Sequence, residues 1–108
     1  MHNIFNINKA ESTITNTDTG YCTRLGQYEL ALLITLIKHH GVVQNTDSLL
    51  EVVWKNKVVT SNSLAKAISA LRTILHDKSP YKIIINKPQA GYYLNSSSLR
   101  FFSISPYF

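Results

Sequence analysis

Residues 60–77 read TSNSLAKAISALRTILHD, and this stretch decides how the rest of the chain is organised. Leu64, Ile68, Leu71 and Leu75 fall four, three and four residues apart, the spacing that lines side chains along one side of an α-helix. The other side carries Asn62, Lys66, Ser69, Arg72, Thr73 and His76, with the small residues Ala65 and Ala70 between them. No carboxylate occurs from residue 52 to residue 76. The pattern predicts a helix capped by Thr60 or Ser61 and ended near His76, ahead of Pro80, which cannot continue it. Its apolar face belongs in a core. Its acid-free face is available to a partner.

The charge balance extends that observation. Residues 1–54 hold three cations (Lys9, Arg24, Lys38) against five carboxylates, whereas residues 55–108 hold eight cations against Asp77 alone, leaving +7. A basic half on a 108-residue, 44% hydrophobic chain suits one compact domain that meets a polyanion, nucleic acid or an anionic membrane surface. A merely soluble basic surface is the bland alternative. Cys22 is alone, so no intrachain disulfide can form, and its place in a predicted strand suggests a buried, inert thiol. The longest apolar run, Leu30 to Ile37, is interrupted by Thr35 and too short to cross a bilayer, and no signal peptide is evident; a cytoplasmic location is expected. His2, His39, His40 and His76 make no metal-ligand spacing with one another or with Cys22, and Ser96–Ser98 lack an activating base. No enzyme activity, metal or cofactor is expected.

Outward from the decisive helix, the chain alternates between two periods. Asn3–Ile7, Ser12–Asn16 and Tyr21–Leu25 alternate apolar and polar, predicting three short antiparallel strands. From Gln27 to His40, Leu30, Leu33, Ile34 and Ile37 form one stripe and Tyr28, Leu32 and Leu36 another, so this helix is expected to be buried on two sides and stopped by Gly41. Val42–Gln44 is a short strand or bridge, and Asn45 caps a helix to about Trp54 with Leu49, Leu50 and Val53 inward. Lys55–Thr60 is a connecting loop. After the decisive helix, Tyr81–Ile85 and Tyr92–Leu94 are strands joined by the turn Asn86–Gly91. The fold class is therefore α+β: an N-terminal antiparallel β-meander, a three-helix core and a C-terminal β-hairpin, a winged helix-turn-helix arrangement.

The residues that carry this arrangement also match a family. LGQYELALLITLIKHHGVVQNTDSLLEVVW (25–54), SLAKAISALRTIL (63–75) and IIINKPQAGYYL (83–94) resemble the OmpR/PhoB-type C-terminal DNA-binding domain. The wing KPQAGYYL is closer to that of the ToxR/CadC-like membrane-anchored regulators. The resemblance covers roughly residues 4–95, and most matched positions, such as Trp54, Leu64, Ile68, Leu71 and Tyr92, are packing positions. Residues 1–95 are expected to form the domain, with its sheet at about 3–25, helices at about 27–76 and wing at about 81–94. Residues 96–108 then read as a Ser-rich linker and aromatic tail.

The resemblance implies a DNA-binding transcriptional regulator whose third helix enters the major groove while the wing touches the minor groove or phosphates. Carried over by position, the contacts fall on Asn62, Lys66, Ser69, Arg72 and Thr73 of the helix, with Ala65 and Ala70 able to meet thymine methyl groups. Lys87 and Gln89 lie at the wing, and Lys55 and Lys57 in a loop that faces DNA backbone or RNA polymerase in relatives of this type. Implied partners are double-stranded DNA, RNA polymerase or a second regulator, and a second copy on DNA. Alanine stands at position 70, where relatives often carry a basic residue, and at positions 65 and 67, where they carry more polar groups, so backbone attraction should outweigh base readout. Neither a receiver domain before this unit nor a membrane span after it is expected, and the expectation is a stand-alone regulator or one with its sensing half on another chain. The rival reading is a degenerate winged helix that binds another transcription factor, using the alanine-rich helix or an apolar patch of Phe101, Phe102, Ile104, Tyr107 and Phe108.

Overall fold

The computed structural model describes residues 4–55 and 57–105. Strands β1 (Phe5–Asn8), β2 (Thr13–Asn16) and β3 (Cys22–Arg24) form the antiparallel meander, with Ile7 opposite Ile14. Alternation turns Phe5, Ile7 and Ile14 inward, where all three are buried. Asn3, expected to start the first strand, lies outside the described residues. Cys22 departs from expectation: it is exposed. The reason is its place on the edge strand β3, whose half-buried residue is Thr23, so that Cys22 and Arg24 flank it on the solvent side.

Helix α1 (Gln27–Lys38) opens with the Glu29 carboxylate accepting the Gly26 N–H at 2.8 Å. Leu32, Leu33 and Leu36 are fully buried, while Tyr28, Leu30, Ala31 and Ile34 pack against the same core. Both apolar stripes of α1 are thus covered, as its two-sided pattern requires. In α2 (Thr46–Trp54) the Asn45 side chain accepts the Ser48 N–H at 2.8 Å, and Leu49, Val53 and Trp54 are buried. Trp54 stacks on Tyr28 with ring centroids 5.4 Å apart.

The third helix, α3 (Ser61–Ile74), buries Leu64, Ala67, Ile68 and Leu71, and Leu75 follows them inward. It ends before Pro80 can act. His76 takes the left-handed conformation (φ 56°), the Asp77 N–H reaches back to the Arg72 carbonyl at 2.8 Å, and the His76 N–H reaches the Thr73 carbonyl at 3.2 Å. That double bond pattern is a Schellman stop made without glycine. It aims Asp77 into the protein, where its carboxylate is 6% exposed.

The wing is the hairpin β4 (Ile84–Lys87) and β5 (Gly91–Leu94). β4 starts at Ile84 rather than Tyr81, and the Lys82 and Ile83 N–H groups ahead of it go to Asp77. Gln44 and Tyr92 exchange backbone hydrogen bonds of 2.8 and 3.0 Å, the bridge expected for residues 42–44. Gly91 makes that approach possible: its φ of 146° suits only glycine, and a Cβ there would run into the Gln44 carbonyl.

Residues 96–105 differ from the linker and tail read in the sequence. Ser96–Phe101 form a 3-10 helix capped by Asn95, and Phe102–Ser105 form β6, which pairs in parallel with β1. The sheet order is β3-β2-β1-β6. Phe102 stacks on Phe5 at 5.7 Å, and Asn6 donates to the Ser103 hydroxyl at 2.9 Å. A bare β1 edge beside a buried phenylalanine pair would be costly, and the tail covers it. Of the apolar patch in the rival reading, Ile104 is exposed, Phe101 is half-buried and Phe102 buried; Tyr107 and Phe108 lie outside the described residues.

Candidate nucleic-acid interface

The side of α3 turned from the core presents Asn62, Ala65, Lys66, Ser69 and Thr73, all exposed. The Thr73 hydroxyl is partly occupied, donating to the Ser69 carbonyl at 3.1 Å. Beside this face stands the wing, whose turn at Pro88–Ala90 closes with the Ala90 N–H on the Lys87 carbonyl at 2.9 Å and with Gln89 at φ 65°. Lys87, Pro88 and Gln89 are exposed at its tip. Between α3 and the wing root runs an open groove of about 540 Å³, lined among others by Ala65, Ser69, Thr73, Lys78, Tyr81 and Tyr92. A second groove, about 320 Å³, lies between the wing tip and the start of α2, with Asn45, Asp47, Lys87 and Gln89 on its walls. Helix face and wing thus form adjoining surfaces, as expected.

Two groups of expected contacts are placed differently. Lys55 and Lys57 are exposed but line a separate depression with Gln27, Tyr28, Ala31 and Trp54, away from both grooves. Arg72 is half-buried. Its Nη2 donates to the Ile84 carbonyl at 2.7 Å, its guanidinium carbon sits 3.6 Å from the centre of the Tyr81 ring, and its Nε is buried without a partner. A guanidinium so engaged does not project from the helix as Lys66 does.

Asp77 and Tyr81 are the residues that sequence reasoning missed. Asp77 is the sole carboxylate of residues 52–108, and its oxygens accept N–H groups from Lys82 (2.8 Å), Ile83 (3.2 Å) and Ile84 (2.9 Å). The consequence is electrostatic as well as structural. The basic half loses its only surface carboxylate, while Lys55, Lys57, Lys66, Lys78, Lys82, Lys87 and Arg100 remain exposed. The signal was present in the sequence: a lone acid five residues after an arginine, at a helix end. Among the described residues no group of three or more His, Cys, Asp or Glu could hold a metal ion, and no helix is long and apolar enough to cross a membrane.

Residues 19–94 match the family model described as transcriptional regulatory protein, C terminal. The transcriptional activator CadC of Escherichia coli K12 is 38% identical over an aligned length of 66, a match that covers 58% of this chain and 13% of CadC; the chain thus spans a small part of that relative's length. The structure of the DNA-binding domain of E. coli CadC superposes with a TM-score of 0.69 at 32% identity, covering 79% of each chain. The Klebsiella pneumoniae RstA DNA-binding domain, solved in complex with RstA box, gives a TM-score of 0.71 at 22% identity over 88% of this chain and 94% of that one, a likeness of fold. Winged-helix architecture, an adjoining basic helix face and hairpin, and a family match across most of the chain agree: this chain belongs to the family of C-terminal domains of transcriptional regulatory proteins, a DNA-binding regulator domain of OmpR/PhoB type similar to that of CadC.

Proposed function

We propose that the domain binds double-stranded DNA with the exposed face of α3 in the major groove and the wing tip on the adjacent minor groove or backbone. The observation that carries this reading is the placement of Lys66 and Lys87 on adjoining elements, in a half of the molecule whose only carboxylate is buried. The AdeR domain solved in complex with an intercistronic region and the RstA domain solved in complex with RstA box share this fold, which supports a DNA partner here. Lys66 serves phosphates or guanine edges, Asn62, Ser69 and Thr73 serve phosphates or bases, and Ala65 meets a thymine methyl. Lys87 and Gln89 act from the wing. With two alanines on the reading face, backbone attraction supplies most of the affinity, and a second copy on DNA adds specificity. Lys55 and Lys57, beside the fully exposed Val58, form a separate surface for RNA polymerase or a second regulator. The working unit includes residues 96–105, and binding DNA requires that it face the cytoplasm.

The test is a fluorescence-anisotropy titration against duplex DNA between 50 and 200 mM salt, a range set by the usual steepness of such binding. Affinity should fall linearly on a log–log plot, and Lys66→Ala should lower the slope by about 0.9 for one lost phosphate contact. No binding at the lowest salt, or a slope unmoved by Lys66→Ala and Lys87→Ala together, would overturn the reading.

A further inference from the structure

We infer that Arg72 and Asp77, with Tyr81, form a clamp that sets the angle between the recognition helix and the wing, making Arg72 a positioning residue rather than a base reader. The proposal rests on the DNA-binding reading above and deepens it. Its key is one residue, Ile84, the first of β4. The Ile84 N–H goes to the Asp77 carboxylate at 2.9 Å, and the Ile84 carbonyl takes Arg72 Nη2 at 2.7 Å. Both backbone groups of a single wing residue are therefore held by side chains from the end of α3. The acid holds Lys82 and Ile83 as well, so the approach to the wing is fixed before the strand begins.

The geometry requires an arginine and an aromatic ring. A planar guanidinium can donate in its plane to Ile84 while its face lies on Tyr81, a combination an ammonium group cannot reproduce. Nε is buried without a partner, a cost that the Ile84 hydrogen bond and the Tyr81 ring contact offset. The Schellman stop at His76 supplies the last component, since it brings Asp77 back under the helix end, toward the same strand as Arg72. The wing tip carries Lys87 and Gln89, three and five residues beyond Ile84 in β4 and its turn, so a small rotation at the root displaces the tip from the backbone it must meet.

Two measurements on the 108-residue protein test this. In hydrogen exchange on the protein alone, Tyr81→Ala and Arg72→Lys should each speed exchange of the amides of residues 84–94 by about tenfold, leaving α1 unchanged, and Tyr81→Phe should restore protection. In DNA titrations, Lys87→Ala should cost about threefold or more in the wild type and much less in the Tyr81→Ala background, with base preference unchanged, because a misplaced wing has no contact left to lose. If Arg72→Lys instead alters preference at one base pair and Lys87→Ala costs the same in both backgrounds, Arg72 reads DNA directly and the clamp has no functional role. Unchanged wing exchange in both variants overturns the clamp itself. Failure of the wild type to bind any duplex overturns the DNA-binding reading and the wing's role in it, while the exchange result still decides whether the clamp exists.

Discussion

The molecule contains two β-structures, and they are secured to different extents. The four-stranded sheet closes itself through side chains, with Phe5, Ile7, Ile14 and Phe102 buried on its inner face. The wing is a two-stranded hairpin, a unit with little stability of its own, and it depends on its root: Asp77, Arg72 and the backbone bridge from Gln44 to Tyr92. One is held by burial along its inner face; the other is held only at its root, where Ile84 and Leu94 are buried and neighbouring elements add hydrogen bonds. The difference suits a binding module, since a hairpin anchored only at its base leaves its polar tip to solvent and to a partner.

Substitution at the polar anchor should expose that contrast most strongly. Asp77→Ala leaves three N–H groups, those of Lys82, Ile83 and Ile84, without an acceptor in a buried setting. Unsatisfied buried donors cost about 1–3 kcal/mol each, so a loss of about 4 kcal/mol is expected in urea denaturation. Exchange should accelerate in the wing before it does in the sheet. An equal acceleration in both would show that the two regions unfold as one unit.

The mirror experiment acts on burial. Phe102→Ala removes a ring stacked on Phe5 and should cost about 3 kcal/mol, near the lower end for a buried aromatic because β6 is an edge strand. Protection should fall in β1 and β6 while the wing keeps its own. Stability within about 0.5 kcal/mol of the wild type would mean that residues 96–105 behave as the tail their composition suggested rather than as part of the fold.

Where the sequence was legible follows the same division. Local rules found the helices: the Asn45 cap, the stripe Leu64–Ile68–Leu71–Leu75 and the two-sided pattern of α1 all appear as read. Of the candidate contacts, Asn62, Lys66, Ser69, Thr73, Lys87 and Gln89 lie exposed on adjoining elements. What escaped were partnerships between distant segments. That Phe102 would lie beside Phe5, or that Arg72 would turn toward Ile84, depends on how elements meet in space, and no local period encodes it. On a helical wheel Arg72 lies about 120° round from Lys66, nearer the apolar stripe, but the wheel alone does not show that the Ile84 carbonyl stands within its reach.

Cys22 gives the smallest expected effect and the finest test of the contrast, because it lies on the sheet yet outside the burial that holds the sheet together. A strand residue in an apolar setting would bury its thiol, and the alternation of β3 decides otherwise by placing the half-buried Thr23 between Cys22 and Arg24. Cys22→Ser should therefore change stability by less than about 0.5 kcal/mol. A thiol reagent should modify the native protein at a rate that does not depend on added denaturant, since no opening is needed for access. A rate that rises with low urea would mean that β3 packs more deeply than its edge position implies. The sheet would then owe part of its hold to its fourth strand, β3, which the inner-face burial of Phe5, Ile7, Ile14 and Phe102 does not require.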